Sequence, residues 1–114
     1  MILEGVDSVE SAQAMYSTVH GAGRVMSRTQ ARGKINRKTG EIITPGVISP
    51  EMMREWIGAL GVELRGAGTD EAPQAYKRLP EVLAHHAASV KILHTLTPLG
   101  VAMAGANEFD PYKD

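Results

Sequence analysis

The chain of 114 residues has no cysteine. That excludes disulfides and thiolate metal sites and fits a cytoplasmic setting. It also has no apolar run near the roughly 20 residues that a membrane-spanning helix needs. Nor does it open with the charged and then apolar pattern of a secretory signal, so neither membrane insertion nor export is expected. Internal repeats and low-complexity tracts are missing as well. What is present is 43% hydrophobic and 22% charged with a net charge of −1, the balance of a globular chain with room for one domain at most.

One sign of charge is missing locally. From Arg24 to Lys38 there are six cations (Arg24, Arg28, Arg32, Lys34, Arg37, Lys38) and no acid, half of the twelve Lys and Arg in the chain. Two readings follow. The window is either a solvated helix face running into a hairpin, or a track for a polyanion such as RNA. It holds no aromatic residue, so stacking of single-stranded bases is not expected there.

Immediately before the window stands His20-Gly21-Ala22-Gly23-Arg24. Gly21 and Gly23 let backbone amides approach an anion without a Cβ in the way. A helix from about Gly23 to Arg32 would place Arg24, Arg28 and Arg32 along one face, with the amides of its first turn aimed at the same spot. The pattern describes a phosphate site with a nucleophile or general base at its edge. Gly-rich turns and single histidines also serve purely structural ends, and these residues alone leave both readings open.

The remaining patterns predict an α+β chain of about four helices and several short strands. A strand is expected at Ile2–Val6. A helix follows, capped by Asp7 with Glu10 as its partner and with Val9, Ala12 and Tyr16 on its apolar side. Residues 34–35 and 41–43 should pair as a hairpin around Asn36–Gly40. Ser49-Pro50 starts a helix whose Met52, Met53, Trp56, Ile57 and Leu60 face a core. Gly61 ends it, Val62–Arg65 is a strand and Gly66-Ala67-Gly68 a loop. Pro80 begins a last helix with Leu79, Val82, Leu83 and His86 on one face, and 91–96 alternates as a strand. His85 and His86 diverge on that helix and do not suit a shared metal, so no metal site is expected in the chain.

Three stretches carry a family resemblance. Ser17-Thr18-Val19-His20-Gly21-Ala22-Gly23-Arg24-Val25-Met26-Ser27-Arg28 resembles the motif around the guanylylated histidine of the RtcB family of RNA ligases, which act in tRNA splicing. Gly61–Gly66 and Asp70–Lys77 resemble the family's next block. Leu96–Gly105 and Asp110–Lys113 resemble its ending, so the similarity runs from about Ile2 to the last residue. The resemblance implies that residues 1–114 are a C-terminal segment of an RtcB-type fold, incomplete as a domain. It implies an enzyme that uses GTP and Mn²⁺ to join RNA 2′,3′-cyclic phosphate or 3′-phosphate ends to 5′-hydroxyl ends. His20 would form the covalent histidine–GMP intermediate, with Arg24 offsetting charge at the phosphate. Gly21, Ala22, Gly23, Tyr76 and Lys113 would hold the GMP, Tyr76 packing on the base and Lys113 contacting the guanine. Arg28, Arg32 and Lys34 are the candidate RNA contacts.

The chain departs from the family in two places. Val19 stands where some relatives have Cys. The Cys and His residues that bind manganese, and a Ser/Gly-rich guanine loop, belong upstream of Ile2 in the family. The isolated chain is therefore expected to be inactive without that upstream half, a candidate partner. A non-catalytic phosphate- or RNA-binding module, or the structural half of a split ligase, are the alternatives.

Overall fold

The computed structural model describes residues 1–105, 108 and 111. Four α-helices and six strands, the latter in three two-stranded sheets, are present among them, an α+β arrangement. They fall into two compact units, one of residues 1–23 and 77–97, the other of residues 24–76 and 98 onward.

In the first unit, β1 (Ile2–Gly5) runs antiparallel to β5 (Val90–His94), with Gly5 opposite Val90. Helix α1 (Val9–Gln13) is capped by Ser8, whose side chain accepts from the Ser11 amide, and not by the expected Asp7. Ser11 is the buried residue of this helix and donates its hydroxyl to the Val6 carbonyl, whereas Val9 and Tyr16 are each 71% exposed. The expected apolar face is thus turned to solvent, because a helix of one and a half turns has little to cover. Met15 and Tyr16 follow it with left-handed backbones, at φ 54° and 53°. Helix α4 (Leu79–Ala84) buries Leu83 and half-buries Leu79, Val82 and His86, the face that the spacing predicts, and Val90 is the other buried hydrophobic residue of this unit.

The second unit holds the larger core: Ala31, Ile48, Met53, Ala72 and Ala75, with Met26, Ile57, Leu64 and Tyr76 packed against it. Helix α2 (Arg28–Arg32) begins at a capping box, in which the Gln30 amide bonds the Ser27 hydroxyl and the Gln30 side chain accepts from the Ser27 amide. The helix expected from Gly23 therefore starts later, where Ser27 can satisfy its first amides. Gly33 ends it at φ 85° and opens β2 (Gly33–Ile35), paired with β3 (Ile42–Pro45). Helix α3 (Pro50–Ala59) carries Ser49 as cap and Pro50 in its first turn, as the sequence predicts, and buries Met53.

Strand β4 (Glu63–Ala67) takes in Gly66 and Ala67, which the sequence places in a loop. Both have left-handed backbones and sit at a register shift against β6 (Gly100–Gly105), a parallel partner that no sequence pattern signalled. Gly66 is required there, since a Cβ would overlap the Met103 carbonyl oxygen. Among the described residues no helix is long and apolar enough to cross a membrane.

Candidate functional site

His20, Gly21, Ala22 and Gly23 close the first segment of the first unit as a loop outside any helix or strand. His20 is exposed, and no hydrogen bond to a described residue holds its side chain. With Gly21 it lines a small cavity of about 110 Å³ that is completed by Met1, Leu3, Val19, Leu79 and Leu83. That space is well below the ~300 Å³ at which ligand pockets begin, so by itself it does not enclose a nucleotide. Gly23 has φ 79°, and its carbonyl accepts from the Lys77 amide at 2.9 Å. Among the described residues, no atom lies within 4 Å of where a Cβ at Gly21 or Gly23 would stand. Packing among the described residues therefore does not account for Gly21, whose backbone lies outside the left-handed region.

Arg24 and Tyr76 belong to the second unit, where they pair as an isolated antiparallel bridge beside the bond from the Val25 amide to the Ala75 carbonyl. Each nitrogen of the Arg24 guanidinium donates one hydrogen bond. Nε donates to the Met26 carbonyl at 3.0 Å, Nη1 to the Tyr76 hydroxyl at 3.0 Å, and Nη2 to the Asp70 carbonyl at 2.6 Å. The Tyr76 hydroxyl in turn donates to Glu71. Arg28 pairs with Glu71 and lies 3.4 Å from the Asp70 carboxylate; Arg32 reaches the same carboxylate at 4.0 Å. Among the described residues, the buried Nε of Arg28 has no acceptor.

The three arginines expected to form an open anion track thus converge on Asp70 and Glu71. Sequence reasoning gave these two carboxylates no part in the site. The signal that could have found them is that Asp70-Glu71 is the only adjacent pair of acids in the chain. Asp70 is 2% exposed, and an acid so buried needs cationic partners. Lys34, on β2, is exposed and has no carboxylate within ion-pair distance among the described residues. Lys113 lies outside the described residues. No group of three or more His, Cys, Asp or Glu that could hold a metal occurs among those described.

The family described as tRNA-splicing ligase RtcB matches residues 1–104, and the chain belongs to it. Relatives include the RNA-splicing ligases RtcB of Mycobacterium bovis and Mycobacterium tuberculosis, each 36% identical over 89 residues that make up 76% of this chain and 18% of theirs. The tRNA-splicing ligase RtcB of Archaeoglobus fulgidus is 38% identical over 89 residues, 75% of this chain and 16% of its own. The chain therefore spans less than a fifth of the length of these curated relatives. No solved structure matches it.

Proposed function

We propose that this chain is the guanylyl-carrying segment of a cytoplasmic, GTP-dependent RNA ligase, with His20 as its nucleophile. The observation that carries the reading is the position of His20-Gly21-Ala22-Gly23-Arg24 inside the family match, with the histidine exposed and its side chain unclaimed among the described residues. A neutral imidazole offers a nitrogen lone pair, and a covalent relay divides one hard displacement into easier ones. His20 attacks the α-phosphorus of GTP; a nitrogen–phosphorus bond forms as pyrophosphate leaves with the electrons of the broken phosphorus–oxygen bond. An oxygen of an RNA 3′-phosphate then attacks the same phosphorus and restores the imidazole. The 5′-hydroxyl of the second RNA end displaces GMP and gives up its proton.

The open space at Gly21 fits a phosphoryl group approaching the backbone, and the Gly21, Ala22 and Gly23 amides are the proposed donors to it. Tyr76 and Lys113 are the proposed guanine contacts, and Arg24 the proposed charge partner of the phosphate. Arg28, Arg32 and Lys34 are the proposed RNA contacts. Manganese does not fit the residues present, since no ligand set exists among those described. The metal-binding half of the ligase is the proposed partner.

Labelling with α-labelled GTP and Mn²⁺ tests this. The chain mixed with the upstream part of a family ligase is expected to take up label, and the His20→Ala mixture none. Label that survives His20→Ala would overturn the role of His20, and an unlabelled wild-type mixture would overturn the ligase reading.

A further inference from the structure

The six cations of the Arg24–Lys38 window do not act together. Arg24, Arg28 and Arg32 are taken up by Asp70, Glu71 and Tyr76, which leaves that cluster with little charge to offer a polyanion. The other three stand apart. Lys34 lies on β2 opposite Thr44, and Arg37 and Lys38 lie in the turn joining β2 to β3; all are exposed. No carboxylate among the described residues lies within ion-pair distance of any of them. Glu41 is the only acid of this hairpin, so its net charge is +2.

The turn that carries them is held from within. The Asn36 side chain accepts from the amides of Lys38 and Thr39 at 2.9 and 3.4 Å. The Gly40 amide bonds the Asn36 carbonyl at 2.8 Å, and Gly40 supplies a left-handed backbone at φ 74°. Thr39 accepts from the Glu41 amide at 3.3 Å. The cations are thus displayed on a fixed scaffold. The hairpin has no aromatic residue, so what it can grip is a phosphate backbone, without regard to base sequence.

We infer that the β2–β3 hairpin, through Lys34, Arg37 and Lys38, is the chain's phosphate-backbone contact for single-stranded RNA. The choice of RNA over other polyanions rests on the ligase reading above; the surface itself rests on the unpaired charges. Arg37 and Lys38 thereby join Lys34 as RNA contacts, and the ion-paired Arg28 and Arg32 are the lesser ones.

The test is binding of the full chain to a fluorescent single-stranded RNA of mixed sequence, titrated across salt. Lys34→Gln, Arg37→Gln and Lys38→Gln combined should weaken binding at least tenfold at low salt. The slope of log affinity against log salt should fall by about 2, near 0.7 for each phosphate no longer neutralised. Glu41→Lys should tighten binding and steepen the slope. Arg54→Gln with Lys91→Gln, two exposed cations outside the hairpin, should leave the slope within about one unit of wild type. The inference is overturned if the triple variant keeps the wild-type slope, if Glu41→Lys has no effect, or if wild type binds phosphatidylserine vesicles and not RNA. Because no GTP is present, these outcomes are separable from the labelling result at His20.

Discussion

The Arg24 guanidinium carbon lies 4.8 Å from the centre of the Tyr76 ring, while its Nη1 donates to the hydroxyl of the same residue. Ring and hydroxyl therefore hold Arg24 in two separable ways, a cation–π contact and a hydrogen bond. Tyr76→Phe keeps the first and removes the second, together with the bond to Glu71. It should cost about 1 kcal/mol in urea unfolding. Tyr76→Leu removes both and should cost about 2 to 3 kcal/mol. Equal costs would mean that the ring contributes nothing.

Asp70 and Arg32 should differ sharply when neutralised. The Asp70 side chain is nearly inaccessible and sits among two arginines, so Asp70→Asn leaves Arg32 without the carboxylate it faces and Arg28 with Glu71 alone. A destabilisation of about 2 kcal/mol is expected, below the roughly 3 to 5 of a fully buried pair because the arginines reach solvent. Arg32 is 40% exposed at the long distance of 4.0 Å, and Arg32→Gln should cost well under about 1 kcal/mol. Chemical denaturation of both variants checks the ranking.

Two glycines predict opposite signs. Gly66→Ala drives a methyl group into the Met103 carbonyl at a left-handed backbone and should cost more than about 2 kcal/mol. Gly58 lies inside α3 with nothing within 4 Å of a Cβ, so Gly58→Ala should add about 0.5 to 1 kcal/mol. Thermal melts of the two single variants decide.

The fold alters the ionisation of Glu51. A backbone amide at its own position, then the Ser49 hydroxyl and the Arg54 charge hold its carboxyl below the ordinary glutamate range. A carboxyl lowered on folding stabilises α3 above its unfolded pKa, and that contribution is lost as pH falls through the folded value. Glu51→Gln should therefore flatten the acid limb of α3 unfolding by removing a small stabilisation at neutral pH, while stability at the acid end stays unchanged. Side-chain chemical shifts followed through an acid titration would report the direction directly.

Local chemistry made part of this fold legible in advance. Ser49-Pro50 and the period of Met53 and Ile57 fixed α3, and the turn residues of Asn36–Gly40 fixed the hairpin. Start signals failed at Asp7, where the neighbouring Ser8 is the cap, and where an arginine run looked helical before its true cap at Ser27. The largest surprise is non-local. Arg28 meets Asp70 and Glu71 across separations of 42 and 43 residues, and Arg24 meets Asp70 across 46, which no periodicity encodes. The same holds for β6, whose small residues Gly100, Ala102, Ala104 and Gly105 carry little strand signal until β4 is set beside them.

Neither compact unit is continuous in sequence, and the discontinuity sets an order of assembly. The five core residues of the second unit lie between Ala31 and Ala75, so their cluster can condense while later residues are still being synthesised. Strand β1 has no such option: Gly5 must wait for Val90 to emerge, and that pairing closes a loop through most of the chain. Loops of that length close late and slowly. Until then Leu3 and its neighbours remain exposed to chaperones and proteases. Of the six strands, β1 is made before the others and is among the last to find its partner.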